Sequence, residues 1–155
     1  DITRVVPVGG AFSPLQRDLY DIVLLAQQAA ISKIKHGVTF ASVHDAAASV
    51  LTHGLMHLKV LKGKHSKLMK DGAYKKYFMH GTAHFIGLDV HDVGLYTRPF
   101  EPGMVLTCEP GIYIPEEGIG CRLENDYLIT ETGNLNLTAA MPIEIDEIEA
   151  IMNGR

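Results

Sequence analysis

The hydrophobic pattern of the first half of the chain predicts a strand followed by two helices. Residues 2–8 are rich in β-branched side chains and stop at Gly9-Gly10, which predicts a strand that ends in a turn. Ser13-Pro14 supplies an N-cap and a first helical position, and we expect this helix to continue until Gly37. A second helix is predicted from about Thr39. Apolar residues at helical spacing support both helices: Leu15, Leu19, Ile22, Ala26 and Ala29 in the first, and Val43, Ala47, Val50, Leu51 and Leu58 in the second.

The second half changes to short apolar runs. Residues 62–77 show no periodicity and are interpreted as a surface connection or lid. Glycines then separate apolar runs such as 104–107 and 127–129, which indicates strands. The segment 143–152 fits a short amphipathic helix. Two helices followed by a strand-rich portion predict an α+β fold, with the helices packed on one face of a sheet.

Composition and charge narrow the class of protein. A chain of 155 residues with 46% hydrophobic content predicts one domain with a real core. The formal charge is -4 and no basic stripe is present, so nucleic acid is not an expected partner. No apolar stretch approaches the ~20 residues of a membrane span, so no membrane association is expected. Cys108 and Cys121 match no zinc or redox spacing, and we interpret them as reduced thiols in the cytoplasm.

Three of the eight histidines, His80, His84 and His91, fall within the stretch HGTAHFIGLDVHDVG. Such a cluster suggests metal binding or acid–base chemistry. His80 and His84 are four residues apart, but no glutamate follows His80, so the helical HExxH zinc motif is rejected. Taken singly, each histidine fits a structural role better than ligation. Asp89 and Asp92 flank His91, where either could orient its imidazole or cap the following turn.

Two glutamates lie inside apolar runs with strand character, Glu109 in LTCEPGIYI and Glu124 in CRLENDYLI. Charge at such positions requires a partner. Alternation along a strand places Arg122 and Glu124 on one face and turns Cys108 away from Glu109. Two carboxylates facing each other around a cation, or an ion pair between Glu124 and Arg122, explain the pattern equally well. The context of Asp1 gives it no special status.

Other catalytic classes find no support in the sequence. GxSxG, the P-loop and a GxGxxG after a strand are all absent, which argues against covalent hydrolysis and nucleotide binding.

Three longer stretches carry a family resemblance. HGTAHFIGLDVHDVG, GMVLTCEPGIYIPEEGIGCRLENDYLIT and LTAAMPIEIDEIEAIM resemble aminopeptidase P, with prolidase as the close relative, and the likeness covers essentially the whole chain. It implies the pita-bread fold, a curved antiparallel sheet with helices on its outer face. Residues 1–155 would be the C-terminal portion of one catalytic domain. The implied activity is metal-dependent hydrolysis of the Xaa-Pro bond, which releases the N-terminal residue from peptides with proline in second position.

The resemblance also implies a metal site. It predicts two divalent cations, preferably Mn²⁺ with Co²⁺ or Zn²⁺ as alternatives, and carboxylate oxygens with one imidazole suit manganese. A hydroxide between the cations would attack the peptide carbonyl while a carboxylate moves the proton to the proline nitrogen. The implied metal-binding side chains are Asp1, His84, Glu109 and Glu124.

Further roles follow from the same resemblance. Glu109 would also shuttle the proton, and Glu124 would bridge the two cations. His91 would contact the substrate carbonyl, His80 would line the proline side of the site, and Arg122 would support Glu124.

The family's first aspartate ligand lies before DITR, outside this sequence. We therefore expect at most weak hydrolysis, unequal metal sites, and association with a second copy or with an N-terminal segment supplied separately. Prolidase activity and a non-catalytic pita-bread binding module remain the alternatives, whereas the histidine-rich stretch argues against methionine aminopeptidase.

Overall fold

The computed structural model describes residues 1–154 as helices that pack on antiparallel strands. Within this range there are four α-helices: α1 (Pro14–Ile31), α2 (Phe40–His57), α3 (His65–Lys70) and α4 (Ile145–Met152). Short 3-10 helices span Ala73–Lys76 and Pro115–Glu117. The five strands are β1 (Val105–Cys108), β2 (Gly111–Ile114), β3 (Ile119–Arg122), β4 (Asn125–Ile129) and β5 (Asn134–Asn136). The predicted α+β arrangement is confirmed. No described helix is both long and apolar enough to cross a membrane.

The predicted start of α1 is confirmed, but its predicted end is wrong. Ser13 and Gln16 form a reciprocal capping box, and Pro14 takes the first helical turn. The helix ends at Ile31, six residues before Gly37. The reason is tertiary, because the Asn134 side-chain amide donates hydrogen bonds to the carbonyl oxygens of Ile31 and Ile34 at 3.1 and 2.7 Å. Carbonyls at the helix end are thereby satisfied without a further turn.

Residues 2–8 do not form the predicted strand. Only an isolated bridge between Thr3 and Glu124 is present. The Arg4 guanidinium explains the difference, because it donates to the carbonyl oxygens of Glu124 at 2.7 Å and Pro142 at 2.5 Å. Side-chain hydrogen bonds thus occupy acceptors that a longer ladder would need, and Pro7 has no N–H to extend it.

Residues 62–77 lie at the surface, as interpreted, except for the buried Tyr74 and Tyr77, but the segment is helical, which the lack of periodicity did not indicate. This stretch contains α3 and a 3-10 helix, and Tyr74 and Tyr77 are buried in the same apolar cluster as Leu55 and Leu123. The two buried tyrosine rings attach the segment to the core, a contact that its lysine-rich sequence does not indicate. The second cluster lies around Ile34, Phe40, Phe100, Leu106 and Ile129.

The strands that matter for the site form an interrupted hairpin. β1 pairs with β4, which pairs with β5, while β2 pairs with β3 in a separate ladder. Cys108 lies opposite Asn125 and Gly111 opposite Arg122, so a single register continues across the gap between the ladders. That register sets Glu109 opposite Glu124. The β2–β3 turn ends at Gly118, whose φ of 61° lies in the left-handed region that favours glycine.

Candidate metal centre

Three of the predicted ligands, Asp1, Glu109 and Glu124, converge on a ring nitrogen of the fourth, His84. His84 Nε2 lies 3.4 Å from Glu109 Oε1 and 3.9 Å from both Asp1 Oδ2 and Glu124 Oε1. Candidate ligand atoms of Asp1, His84 and Glu124 all lie within 4.8 Å of one another. Residues separated by up to 123 positions in sequence are therefore brought to one point.

The interrupted hairpin explains why the two glutamates meet. Glu109 and Glu124 face each other where the ladder is broken, so their backbone N–H groups bond to other segments. The Glu109 N–H donates to Thr82 O at 2.7 Å, and the Glu124 N–H donates to Thr3 O at 3.1 Å. The first of these bonds holds the histidine-bearing segment beside Glu109, and the second brings the Asp1 end of the chain to Glu124.

His84 is oriented by bonds on both sides of its Cα. Its backbone N–H donates to Thr107 Oγ1 at 3.1 Å, and its carbonyl accepts from the Thr107 N–H at 3.0 Å. Nδ1 lies 2.9 Å from Phe85 O and therefore carries the ring proton. With the proton on Nδ1, Nε2 is the ring nitrogen that faces the three carboxylates and is left to bind a metal, as a metal-binding histidine requires.

The carboxylates of Glu109 and Glu124 repel each other and are not fully satisfied by hydrogen bonds within the described residues. Glu124 is 2% exposed, and its Oε1 has no hydrogen-bond partner among the residues that the structure describes. Burial and then the charge of Glu124 raise the pKa of Glu109. Three acidic side chains close to one imidazole nitrogen favour a positive charge between them, and their hard oxygens suit a divalent cation. The donor set therefore fits a divalent cation, as the family resemblance implied.

Arg122 does not form the ion pair with Glu124 that remained open from the sequence. Its Nε donates to Thr3 Oγ1 at 3.1 Å and lies 4.0 Å from Glu109 Oε2. The Thr3 hydroxyl in turn donates to Glu124 Oε2 at 2.6 Å. Arg122 thus reaches Glu124 through Thr3, a residue that sequence reasoning missed. The signal was present, because Thr3 lies two positions after Asp1 and strand alternation places both on one side.

The other two histidines lie at the rim of the cluster. His91 is exposed, and its ring meets that of His84 edge to face with 4.5 Å between centroids. His80 is half-buried, with Nδ1 2.8 Å from Gly81 O and Nε2 2.8 Å from the Tyr113 hydroxyl. Burial lowers the pKa of His80, so its ring is neutral at pH 7.

Neither cysteine belongs to the cluster. Cys108 and Cys121 are both free and buried. Burial raises the pKa of the Cys121 thiol to about 12 and raises the pKa of Cys108 as well. Neither side chain supplies the thiolate that metal ligation needs at neutral pH.

The chain is similar over nearly its whole length to known Xaa-Pro aminopeptidases. It is 46% identical to the Xaa-Pro aminopeptidase of Escherichia coli (strain K12) over 98% of the chain, and 47% identical to that of Haemophilus influenzae over 99%. These matches span 37% and 38% of the lengths of the two relatives. The chain therefore covers little more than a third of each relative.

Solved structures and a family model agree with these relatives. A zinc-substituted E. coli aminopeptidase P in complex with product superposes with a TM-score of 0.95 at 45% identity, covering 99% of this chain and 38% of that one. This match confirms the pita-bread fold that the motifs implied. The model of metallopeptidase family M24 matches residues 1–131. The chain therefore belongs to metallopeptidase family M24.

Proposed function

We propose that residues 1–155 form the C-terminal portion of a single pita-bread catalytic domain that hydrolyses Xaa-Pro bonds. The reaction releases the N-terminal residue from peptides with proline in second position. The observation that carries the proposal is the convergence of Asp1, Glu109 and Glu124 on His84 Nε2. The specificity for proline is supported by relatives named Xaa-Pro aminopeptidases.

In this proposal Asp1, His84, Glu109 and Glu124 hold two divalent cations. Mn²⁺ is the preferred ion, with Co²⁺ and Zn²⁺ as alternatives, because three carboxylates and one imidazole form a predominantly hard donor set. When bound, the cations supply Lewis-acid polarisation of the peptide carbonyl and lower the pKa of water.

Each of the other functions of the site is assigned to a particular side chain. Glu109 accepts a proton on its carboxylate and passes it to the proline nitrogen, and its raised pKa suits a group that must both take and release a proton. His91 donates a hydrogen bond to the carbonyl oxygen of the scissile bond from its exposed position. His80, fixed by the Tyr113 hydroxyl, lines the proline side. Arg122 holds Thr3, which holds Glu124.

Peptide hydrolysis by the manganese-loaded chain tests the proposal. Liberation of the first residue from Xaa-Pro-Yaa tripeptides and from Xaa-Pro dipeptides is followed by chromatography. We expect cleavage of the tripeptides at a low rate and loss of that cleavage in Glu109→Gln. Preference for dipeptides would favour prolidase activity. Manganese binding without cleavage of either peptide would favour a binding module instead.

We also propose that the chain associates with a second copy or with a further segment of a longer peptidase. Leu88, Val93 and Leu95 are exposed to 103%, 89% and 69% of the reference value for the same residue in an extended chain, and such a group of apolar side chains favours contact with another surface. Light scattering after gel filtration checks the association, and a monomer at all concentrations would contradict association with a second copy.

The free thiols of Cys108 and Cys121 support a reducing, cytoplasmic setting.

A further inference from the structure

Gln27 is a polar side chain in the buried face of α1. It is 1% exposed and lies among residues such as Val23 and Ala30, which are fully buried. Its Nε2 donates two hydrogen bonds, to Cys108 O at 3.1 Å and to Leu123 O at 3.0 Å. Burial of an amide in an apolar layer is costly unless it is bonded, so these two contacts account for its position.

The two acceptors lie at the break in the hairpin. Leu123 is opposite Pro110 in the common register, and the Leu123 N–H reaches Pro110 O at 3.4 Å. Proline has no N–H to return, so Leu123 O has no strand donor from that residue. The Gln27 amide replaces the missing donor and spans to Cys108 O on the other strand. A carbonyl buried at this point would otherwise be unsatisfied.

Each acceptor belongs to the peptide group that leads directly into a proposed ligand. Cys108 O lies on the peptide that joins Cys108 to Glu109, and Leu123 O on the peptide that joins Leu123 to Glu124. We infer that Gln27 is a positioning residue for the metal centre, which fixes both peptide planes and so sets the separation of Glu109 and Glu124. The inference rests on the proposed metal centre.

Calorimetric titration with Mn²⁺, well below the unfolding temperature, tests this inference. Gln27→Met keeps an unbranched side chain of similar length but has no donor. Asn134→Leu is the matched control, because Asn134 makes the same double amide bond to Ile31 O and Ile34 O, which precede no proposed ligand. We expect Gln27→Met to weaken manganese binding about 10-fold or more, as loss of groups that orient ligands typically does. Asn134→Leu should change it by less than about 2-fold.

The design separates positioning from general stabilisation. Both variants are expected to unfold at lower temperature, since each loses a double hydrogen bond, buried for Gln27 and partly buried for Asn134, so unfolding alone does not distinguish them. A Gln27→Met protein that binds Mn²⁺ as tightly as wild type would overturn the inference and leave the metal centre intact. A wild-type chain that binds no Mn²⁺ would overturn the metal centre and the inference together.

A measurement on the wild-type chain decides the question if Gln27→Met does not fold. The side-chain amide signals of Gln27 and Asn134 are followed by NMR as diamagnetic Zn²⁺ is added. Shifts of the Gln27 signals that clearly exceed those of Asn134 would support the inference. Equal or absent shifts on saturation with Zn²⁺ would refute it.

Discussion

The proposed ligands and His91 lie only a few ångströms apart, yet the backbone holds them in opposite ways. Glu124 is 2% exposed, and Glu109 and Glu124 face each other in the gap between two paired ladders of strands. His91 lies in the segment 87–99, where every residue except Asp92 is exposed. Groups that hold a cation need fixed geometry, whereas a group that meets a substrate must stay accessible. The difference therefore matches the proposed division between metal-binding residues and a residue that contacts the substrate.

The segment 87–99 nevertheless has local order. Asp92 accepts hydrogen bonds from the N–H groups of Leu88 at 3.0 Å and Val93 at 2.8 Å, so it caps the turn. A side chain at Gly94 would begin 2.1 Å from the Phe85 ring, which makes glycine necessary where the segment meets the core. The Asp92 contacts are local, whereas the Tyr96 ring packs on Phe40 and Phe85, with centroid distances of 4.6 and 5.3 Å.

Substitution of Glu124 should have the largest effect on the metal side of this comparison. We expect Glu124→Gln to weaken Mn²⁺ binding by at least about 100-fold, since it removes the carboxylate that the centre surrounds. The metal-free protein should unfold about 3 °C higher, because a buried charge with an unpartnered oxygen is neutralised at a gain of about 1 kcal/mol. Calorimetry and thermal unfolding measure the two effects. Wild-type manganese affinity in this variant would contradict the proposed ligand set.

Loss of the Thr3 hydroxyl should have the next largest effect. Thr3→Val removes the donor to Glu124 Oε2 and the acceptor for Arg122, and we expect Mn²⁺ affinity to fall about 10-fold. Thr52→Val is the control, because Thr52 is fully buried but donates to Ala48 O within α2. Equal affinities for the two variants would show that Thr3 does not support the site.

Acid should destabilise the protein through the half-buried histidines His44 and His80. Burial lowers the pKa of His44, whose ring stacks on Phe78 and lies 2.9 Å from Thr82 Oγ1. The unfolded chain takes up the proton first, at about pH 6.5, so stability is full above that pH and falls as the pH drops toward the lowered native pKa. The limiting slope is about 1.4 kcal/mol per pH unit for one histidine.

Urea unfolding at pH 7.5 and pH 5.5 measures this loss. His44→Phe keeps an aromatic ring on Phe78 and should lose less stability than wild type between the two pH values. Part of the loss should remain, because burial also lowers the pKa of His80. An unchanged pH dependence in His44→Phe would remove His44 from the account.

Substitution of the exposed His91 should have the smallest effect on Mn²⁺ affinity and on stability. His91→Ala should leave Mn²⁺ affinity within about 2-fold and the unfolding temperature nearly unchanged, because substitutions at exposed positions typically stay within about 0.5 kcal/mol. Cleavage of Xaa-Pro-Yaa peptides should nevertheless be lost. A strong decrease in metal affinity would show that His91 belongs to the metal centre itself.

The sequence predicted features that local chemistry determines. The start of α1 follows from Ser13, Pro14 and Gln16, which act within four residues of one another. Its end depends on Asn134, about 100 positions away, and no local pattern shows that contact. The bridge at Thr3 is similarly limited by the Arg4 side chain, which bonds to carbonyls on distant segments.

The candidate site shows the same division. Spacing alone left Glu124 with either a cation or Arg122 as partner, and only the family resemblance singled out Asp1. Proximity of Asp1, His84 and Glu124 depends on the Thr3 bridge and on the hairpin register, which are long-range features. Gln27 was hidden for the same reason, since a glutamine in an apolar helix face gives no sign of the strands it contacts.

Calorimetric titration of the metal-free chain with Mn²⁺ tests the central claim most directly. The claim is that Asp1, His84, Glu109 and Glu124 form a centre that holds divalent cations. We predict saturable binding of at least one ion per chain, with a second ion if both proposed sites fill. Absence of saturable binding, or binding that persists unchanged in Glu124→Gln, would contradict the account.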